Sequence, residues 1–356
     1  MALLWVDGFE KYGTVNAAIN PSTILNWKYK AIASTLADMV PGRHGGKALR
    51  IDSLSMYLET PDVGTGADTL ICGFNFKLRD CDNGSWICDF RQPRSDGETI
   101  GYNQLTFKCV SVNSANQIRA IRGGTTLNTS TTVDLQTDTW YHFEAKVKCD
   151  NTNGTINVYL DGSEVLTFTG NTKHRNVGPD TFSRVLWNTG VADALTIDDL
   201  YIMDTSGSKN NDALQDDTTR VEALSPTSDV SGNWTASTGS DLYAMVDEDQ
   251  QDANYIKDDT TGNRAIFEMT NLSANAASGN VNGVMISCDS QQTSRFTKYA
   301  KALTQNGSGG TVQHSGNFAP GNTNPLCHTF IMEDDPDGNA WSAATVNSLR
   351  TGVEVS

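Results

Sequence analysis

Asp89 and Arg91, two residues apart and close in sequence to Trp86 and Tyr102, have the side chains best suited to grip a sugar. An aromatic face covers the apolar side of a pyranose, while carboxylate and guanidinium groups bond its hydroxyls. Asp89, Arg91 and Tyr102 are therefore the candidate ligand-binding residues. The plainer reading, and the preferred one, is a cross-strand ion pair between Asp89 and Arg91, worth little at a surface. Asp198 and Asp199 offer oxygens of the kind Ca²⁺ takes. Neighbouring residues on a strand point to opposite faces, so at most one of the two joins a single site without help from loops. Calcium stays open, and no cofactor or metal ligand is assigned. The acidic groups Asp247, Glu248, Asp249 and Asp252, and Asp258 with Asp259, lack the spacing of a calcium loop and read as solvated.

Catalysis makes stricter demands. A sandwich glycosidase of the retaining type places an acid and a nucleophile about 5 Å apart, and no carboxylate string of alternating positions is present. Met332-Glu333-Asp334-Asp335-Pro336 comes nearest, but Pro336 and Gly338 mark a turn whose acids should face water. The histidines, 44, 142, 174, 314 and 328, are scattered, and His142 falls on the polar side of its strand. No catalytic residue is identified, and the chain is expected not to be an enzyme. The seven cysteines form no C-x-x-C pair, so most should be small buried hydrophobes.

The elements that must hold these residues read as strands. In Trp140–Cys149, Tyr141, Phe143, Ala145, Val147 and Cys149 point one way, and His142, Glu144, Lys146 and Lys148 the other, as in a half-buried antiparallel strand. Thr155–Leu160 and Ser163–Phe168 flank Asp161-Gly162, a dipeptide suited to the type I′ hairpin turn. Leu70–Leu78 and Ser85–Arg91 flank Asp82-Asn83-Gly84, which predicts a second hairpin. Arg43–Ile51 reads as a Gly-rich turn feeding a strand, without the order or following helix of a phosphate loop. Ala194–Asp204 is a strand of mixed burial.

At 356 residues the chain exceeds one ordinary sandwich, and two domains are expected. The polar stretch Thr205–Gln215 puts the boundary near residue 210, giving domains 1–208 and 209–356. The second part predicts strands at Thr219–Leu224, Arg264–Met269, Val281–Asp289, Ala300–Gln305 and Leu326–Met332, with one short helix at Ala343–Leu349. Net charge −16 argues against wrapping nucleic acid or lying on an anionic membrane. No run approaches the ~18–20 apolar residues of a membrane span. The start lacks a basic region followed by an apolar stretch, so synthesis and folding in a cytoplasm are expected. Six N-x-[ST] sequons read as turn chemistry.

Four stretches of the first domain resemble, in order and spacing, the laminin-G and concanavalin A-like lectin superfamily as it occurs in tailed-bacteriophage structural proteins. They are Gly42–Leu49, Thr139–Glu144, Val158–Gly162 and Ile197–Tyr201. The second domain resembles a β-sandwich module of phage particles through Arg220–Pro226, Asn233-Trp234-Thr235, Val246–Glu248, Asp252–Ile256, Asp335–Trp341 and Val346–Val353. The resemblance implies an all-β protein: a concanavalin-like jelly-roll sandwich, then a smaller β-sandwich or jelly roll. It implies a virion component on the tail, neck or fibre, or alternatively a capsid decoration or a host-surface polysaccharide adhesin. Implied partners are other virion proteins, copies of the chain itself in a homo-oligomer, and host surface glycan. The full metal-ligand set of a calcium-dependent lectin is not identifiable, so sugar binding is carried by the fold alone.

Overall fold

Alternating apolar and polar residues, punctuated by Gly, Asn and Asp, fold almost entirely into antiparallel strands. The computed structural model describes residues 2–15, 29, 37–52, 57–63, 67–81, 84–92, 102–131, 133–174, 181–189, 194–248, 253–293, 298–322 and 325–356. Two units are resolved, Met1–Val221 and Glu222–Ser356.

The first unit has strands β1 (Leu3–Asp7), β2 (Ala37–Pro41), β3 (Lys47–Ile51), β4 (Tyr57–Glu59), β5 (Thr69–Leu78), β6 (Trp86–Gln92) and β7 (Tyr102–Val112). They are followed by β8 (Ala115–Arg122), β9 (Thr125–Thr129), β10 (Tyr141–Lys148), β11 (Gly154–Leu160), β12 (Ser163–Gly170), β13 (Arg184–Asn188) and β14 (Leu195–Asp204). An eight-stranded sheet runs β12-β11-β10-β5-β14-β3-β2, with β1 also paired to β14. A six-stranded sheet runs β4-β13-β6-β7-β8-β9. The two inner faces meet through aromatic rings. Phe143 lies 5.3 Å from Phe74 on its own sheet and 5.4 Å from Phe107 on the other, and Trp187 stands edge-on to Phe74 at 5.5 Å. Each such fully buried ring contributes roughly 1.5–3 kcal/mol of transfer free energy.

The Asp161-Gly162 hairpin forms as predicted, joining β11 to β12 with φ of 47° and 75° at the two turn residues. The second predicted hairpin does not. β5 pairs with β10 and β14, whereas β6 pairs with β7 and β13, so the chain crosses from one sheet to the other between them. The reason is burial: β5 is apolar or covered on both faces along nearly its whole length, which requires a central position that β6 cannot flank. Asp82 and Asn83 lie outside the described residues.

The interval 209–221, given to the second domain by composition, belongs to the first unit. It makes no ladder, so the strand predicted at Thr219–Leu224 is absent, and its amides bond side chains of the eight-stranded sheet instead.

The second unit has a five-stranded sheet, in the order Pro226–Gly232, Arg264–Met269, Leu349–Val355, Ala300–Asn306 and Val312–His314. Val284–Ser290 and Leu326–Met332 form a separate ribbon, as do Thr235–Ala236 and Ile256–Lys257. One apolar cluster gathers Met332, Trp341, Val346 and Leu349, and another gathers Leu242, Ala265 and Phe267. The helix is Ala343–Asn347, with Ser342 and Thr345 closing a reciprocal cap. Asp335 does not face water as the turn predicts. It is buried, and its Oδ1 accepts the amides of Asp337 and Asn339, which fixes the turn. Cys72, Cys81, Cys88, Cys109 and Cys149 are buried, and Cys288 and Cys327 are partly exposed; none of the seven is in a disulfide.

Candidate functional site

The outer faces of the first unit's two sheets both carry buried charge, and they differ in what lies over them. On the eight-stranded sheet the polar side of β10 is not the solvated face its pattern predicts. His142 and Glu144 are both buried, because the interval 209–221 runs across them. Glu144 accepts the amides of Leu214 at 2.8 Å and Gln215 at 2.9 Å, and the Tyr201 hydroxyl at 2.8 Å. Gly73, opposite Glu144 on β5, leaves room for the Tyr201 ring, since a Cβ there would fall 2.0 Å from its Cζ. Asn75 Oδ1 accepts from Arg43 and lies 2.9 Å from His142 Nδ1, which makes that nitrogen the proton carrier. His142 Nε2 is 3.1 Å from the Tyr201 hydroxyl. Burial first, then the Arg43 charge, push the His142 pKa down to about 4, so the ring is neutral at pH 7.

Asp198 and Asp199 do not point to opposite faces. A bulge in β14 between Asp198 and Tyr201 breaks the alternation, with Asp199 at φ 50°. A left-handed residue costs about 1 kcal/mol, offset by the bonds it permits. Asp198 accepts the amides of Asp199 and Arg43 at 2.8 and 2.9 Å. Asp199 accepts the Val221 amide at 2.7 Å and Asn75 Nδ2 at 2.6 Å. All four carboxyl oxygens of the pair thus already accept an N–H, and Arg43 stands among them, which is unlike the oxygen cage of a calcium site. Among the described residues no group of three or more His, Cys, Asp or Glu is placed to hold a metal. Asp249 and Asp252 lie outside the described residues.

This face therefore works as a clip for the interval 209–221. Glu144→Ala would leave the Leu214 and Gln215 amides without their acceptor. Bonds to charged groups contribute roughly 1.5–3 kcal/mol, so the first unit should lose about 2 kcal/mol and exchange those two amides faster with solvent. Unchanged exchange rates would show that Glu144 does not hold the segment.

The six-stranded sheet presents the other polar face, and register sorts it into three rows. Glu59 lies opposite Leu186, Leu186 opposite Asp89, and Asp89 opposite Thr106. In the second row Arg184 lies opposite Arg91, and Arg91 opposite Asn103. In the third, Trp86 lies opposite Lys108, Lys108 opposite Arg119, and Arg119 opposite Thr129. The intervening residues, Leu58, Val185, Cys88, Phe90, Leu105, Phe107, Ile118 and Ala120, turn inward to the core.

Arg184 bonds the fully buried Glu59 at 3.2 Å and Asp62 at 2.7 Å. Asp89, also fully buried, accepts from Arg91 at 2.8 Å and from Asn103 at 3.0 Å, both at Oδ2. Its Oδ1 makes no hydrogen bond; the nearby Thr106 hydroxyl favours the charged form without closing a bond to that oxygen. Burial pushes the Asp89 pKa up, and Arg91 opposes that rise. The Lys108 ammonium sits 4.3 Å from the centre of the Trp86 ring.

Asp89 and Arg91 are thus brought together, but not across strands. They are two residues apart on β6, on one face, with Asp89 fully buried and Arg91 half-buried above it rather than both at a surface. The backbone of Tyr102 pairs with Gln92, and its side chain lies outside the described residues. Arg184, Glu59, Asn103, Lys108 and Arg119 complete the face. Sequence reasoning missed them because strand partners far apart in the chain are set by sheet order. Period-two alternation within β7 and β8, with Lys108 and Arg119 out of phase with the apolar residues, was the available signal.

No family model and no curated protein matches the chain. Solved structures do, at the level of fold. The alginate lyase Aly36B is 14% identical, with TM-score 0.40, over 56% of this chain and 96% of its own. A conserved carbohydrate esterase of the Shiga toxin-encoding bacteriophage phi24B is 15% identical, with TM-score 0.36, over 56% of this chain and 99% of its own. Domain 4 of the extracellular arabinanase AbnA from Geobacillus stearothermophilus, solved with arabinotriose, is 16% identical, with TM-score 0.34, over 48% of this chain and 76% of its own. All three are carbohydrate-active or carbohydrate-binding. The expectation of a chain without catalysis is corrected by these matches: two of the three are enzymes, so a sandwich of this kind gives no ground for excluding activity.

Proposed function

We propose that this chain is a glycan-recognising component of a tailed-phage virion, whose first unit meets host surface polysaccharide through the outer face of the six-stranded sheet. The observation that carries the reading is the Asp89–Arg91–Asn103 array beside Arg184 and Glu59, where charged groups are kept in fixed positions on the outside of a sheet. Burying charge is expensive unless it is paired and bonded. A sheet face needing only solubility would carry solvated Lys and Glu instead.

The virion placement is supported by the ordered sequence resemblance of both halves to phage structural proteins. The second unit is the part assigned to attachment on the particle. Single sugar contacts are weak, and display of several copies in a homo-oligomer raises their joint strength.

Two measurements test this. The purified chain on an array of bacterial surface glycans should bind at least one polysaccharide, and labelled antibody should decorate purified virions in electron micrographs. Absence of the chain from virions would remove the particle assignment, and an array without signal at high protein concentration would remove the glycan assignment.

A further inference from the structure

The chain carries net charge −16, yet one face of the six-stranded sheet concentrates cations. Two like-charged pairs face each other directly across neighbouring strands there: Arg184 with Arg91, and Lys108 with Arg119. Like charges in that position destabilise a sheet. The first pair is compensated, since Arg184 is bonded to Glu59 and Asp62, and Arg91 to Asp89.

The second pair has no such contact, and the one acid acting on it, from a distance on Lys108, is Asp89, which is already bonded to Arg91. Arg119 Nε donates only to the Thr129 hydroxyl, and Lys108 sits over Trp86; neither makes an ion pair with a described residue. Both are partly exposed, as are Arg91, Asn103 and Trp86. Asp89 lies beneath them and holds Arg91 in place, with one carboxylate oxygen still unbonded in a dry setting. Two cations without an ion-pair contact, beside a fixed guanidinium and an aromatic ring, make an array suited to negative charge.

Resting on the glycan-binding reading above, we infer that the ligand of this face is an acidic polysaccharide, its sugar carboxylates seated between Lys108, Arg119 and Arg91. Rows two and three are separated by five residues of β7, Asn103 to Lys108, or at most roughly 16 Å at ~3.3 Å per residue. A polymer charged at successive sugars can satisfy both, whereas a single small anion cannot. Arg91 supplies directed donors, Asn103 spends both its N–H groups on Asp89 Oδ2 and Thr106 Oγ1 and so fixes that row, and Lys108 and Arg119 supply the attracting positive field.

The test uses the full chain with polygalacturonate oligomers and, as the neutral counterpart, the same oligomers with their carboxyl groups reduced to alcohols. Calorimetry should show the acidic oligomer binding at least tenfold tighter than the reduced one. Its affinity should fall severalfold between low and physiological salt, because exposed charge pairs are screened within about 8–10 Å. The double variant Lys108→Gln/Arg119→Gln should bind the acidic oligomer at least tenfold more weakly while keeping the circular dichroism spectrum and melting temperature of the parent. Arg119→Ser alone, at a partly exposed position, serves if the double variant does not fold. Equal affinity for the two oligomers, or undiminished affinity in the folded variants, would overturn the acidic-ligand inference and leave glycan binding standing. No binding to either oligomer together with a silent glycan array would overturn both.

Discussion

Arg184→Ala should destabilise the first unit by about 3–5 kcal/mol, because it strips a fully buried carboxylate, Glu59, of its charged partner. The loss is far larger than a surface ion pair would give, since neither the Arg184 side chain, 5% exposed, nor Glu59 can turn to water for compensation. Denaturant titration of the alanine variant against the parent reads the effect directly. The paired replacement Arg184→Met with Glu59→Gln removes both charges together and should recover most of the stability, as removal of one partner hurts chiefly by orphaning the other. A single alanine variant within 1 kcal/mol of the parent would mean that Glu59 is not held as a charge. Full stability combined with lost glycan binding in the paired variant would separate the site's recognition from its folding.

Raising the pH from 7 to 9 should weaken the first unit by on the order of 1 kcal/mol per pH unit, the linkage slope for one proton. Burial first, then the neighbouring Asp199 charge, push the Asp198 pKa up to about 9; burial likewise raises Asp199, to about 6. Both folded values exceed those of an unfolded aspartate near 3.8. The folded chain therefore holds extra protons between about pH 4 and 9, and the stability this brings is fully present below the unfolded value and lost as pH rises through the folded one. The His142 shift acts in the other direction and elsewhere: its lowered pKa favours the fold above about 6.5 and is lost as pH falls toward 4. Between 7 and 9 the aspartate pair stands apart from it. Melting curves of the parent at pH 7, 8 and 9 should decline, and those of Asp198→Asn should be nearly level over the same range. A parent curve as flat as that of the variant would show that Asp198 ionises normally.

Local pattern carried a good part of the architecture. The alternation in Tyr141–Lys148, Gly154–Leu160 and Ser163–Gly170 places each strand, and Asp161-Gly162 joins the last two, because a side chain's face and a turn's φ are properties of a few consecutive residues. Cys88, Cys109 and Cys149 fall in phase with apolar neighbours and are buried accordingly. The candidate site was legible only in fragments. Asp89 and Arg91 could be picked as chemically apt, but their strand-mates Asn103, Lys108 and Arg184 come from β7 and β13, and pairing over such distances leaves no mark in the local sequence.

Polar residues misled where tertiary cover decides burial. His142 and Glu144 look outward by period and are outward by geometry, yet amides from 214 and 215 close over them. The strand rule put Asp198 and Asp199 on opposite faces, and a bulge brought their carboxylates into one network.

By itself, then, the amino-acid sequence determined an all-β chain, the faces of its strands and the turns between several of them, since these follow from the two-residue repeat and from backbone preferences of single residues. Which strands became neighbours, which polar faces were sealed, and which four cations met across β13, β6, β7 and β8 were decided only in the tertiary structure, because those contacts join segments far apart in the chain and are fixed by the packing of one sheet on the other.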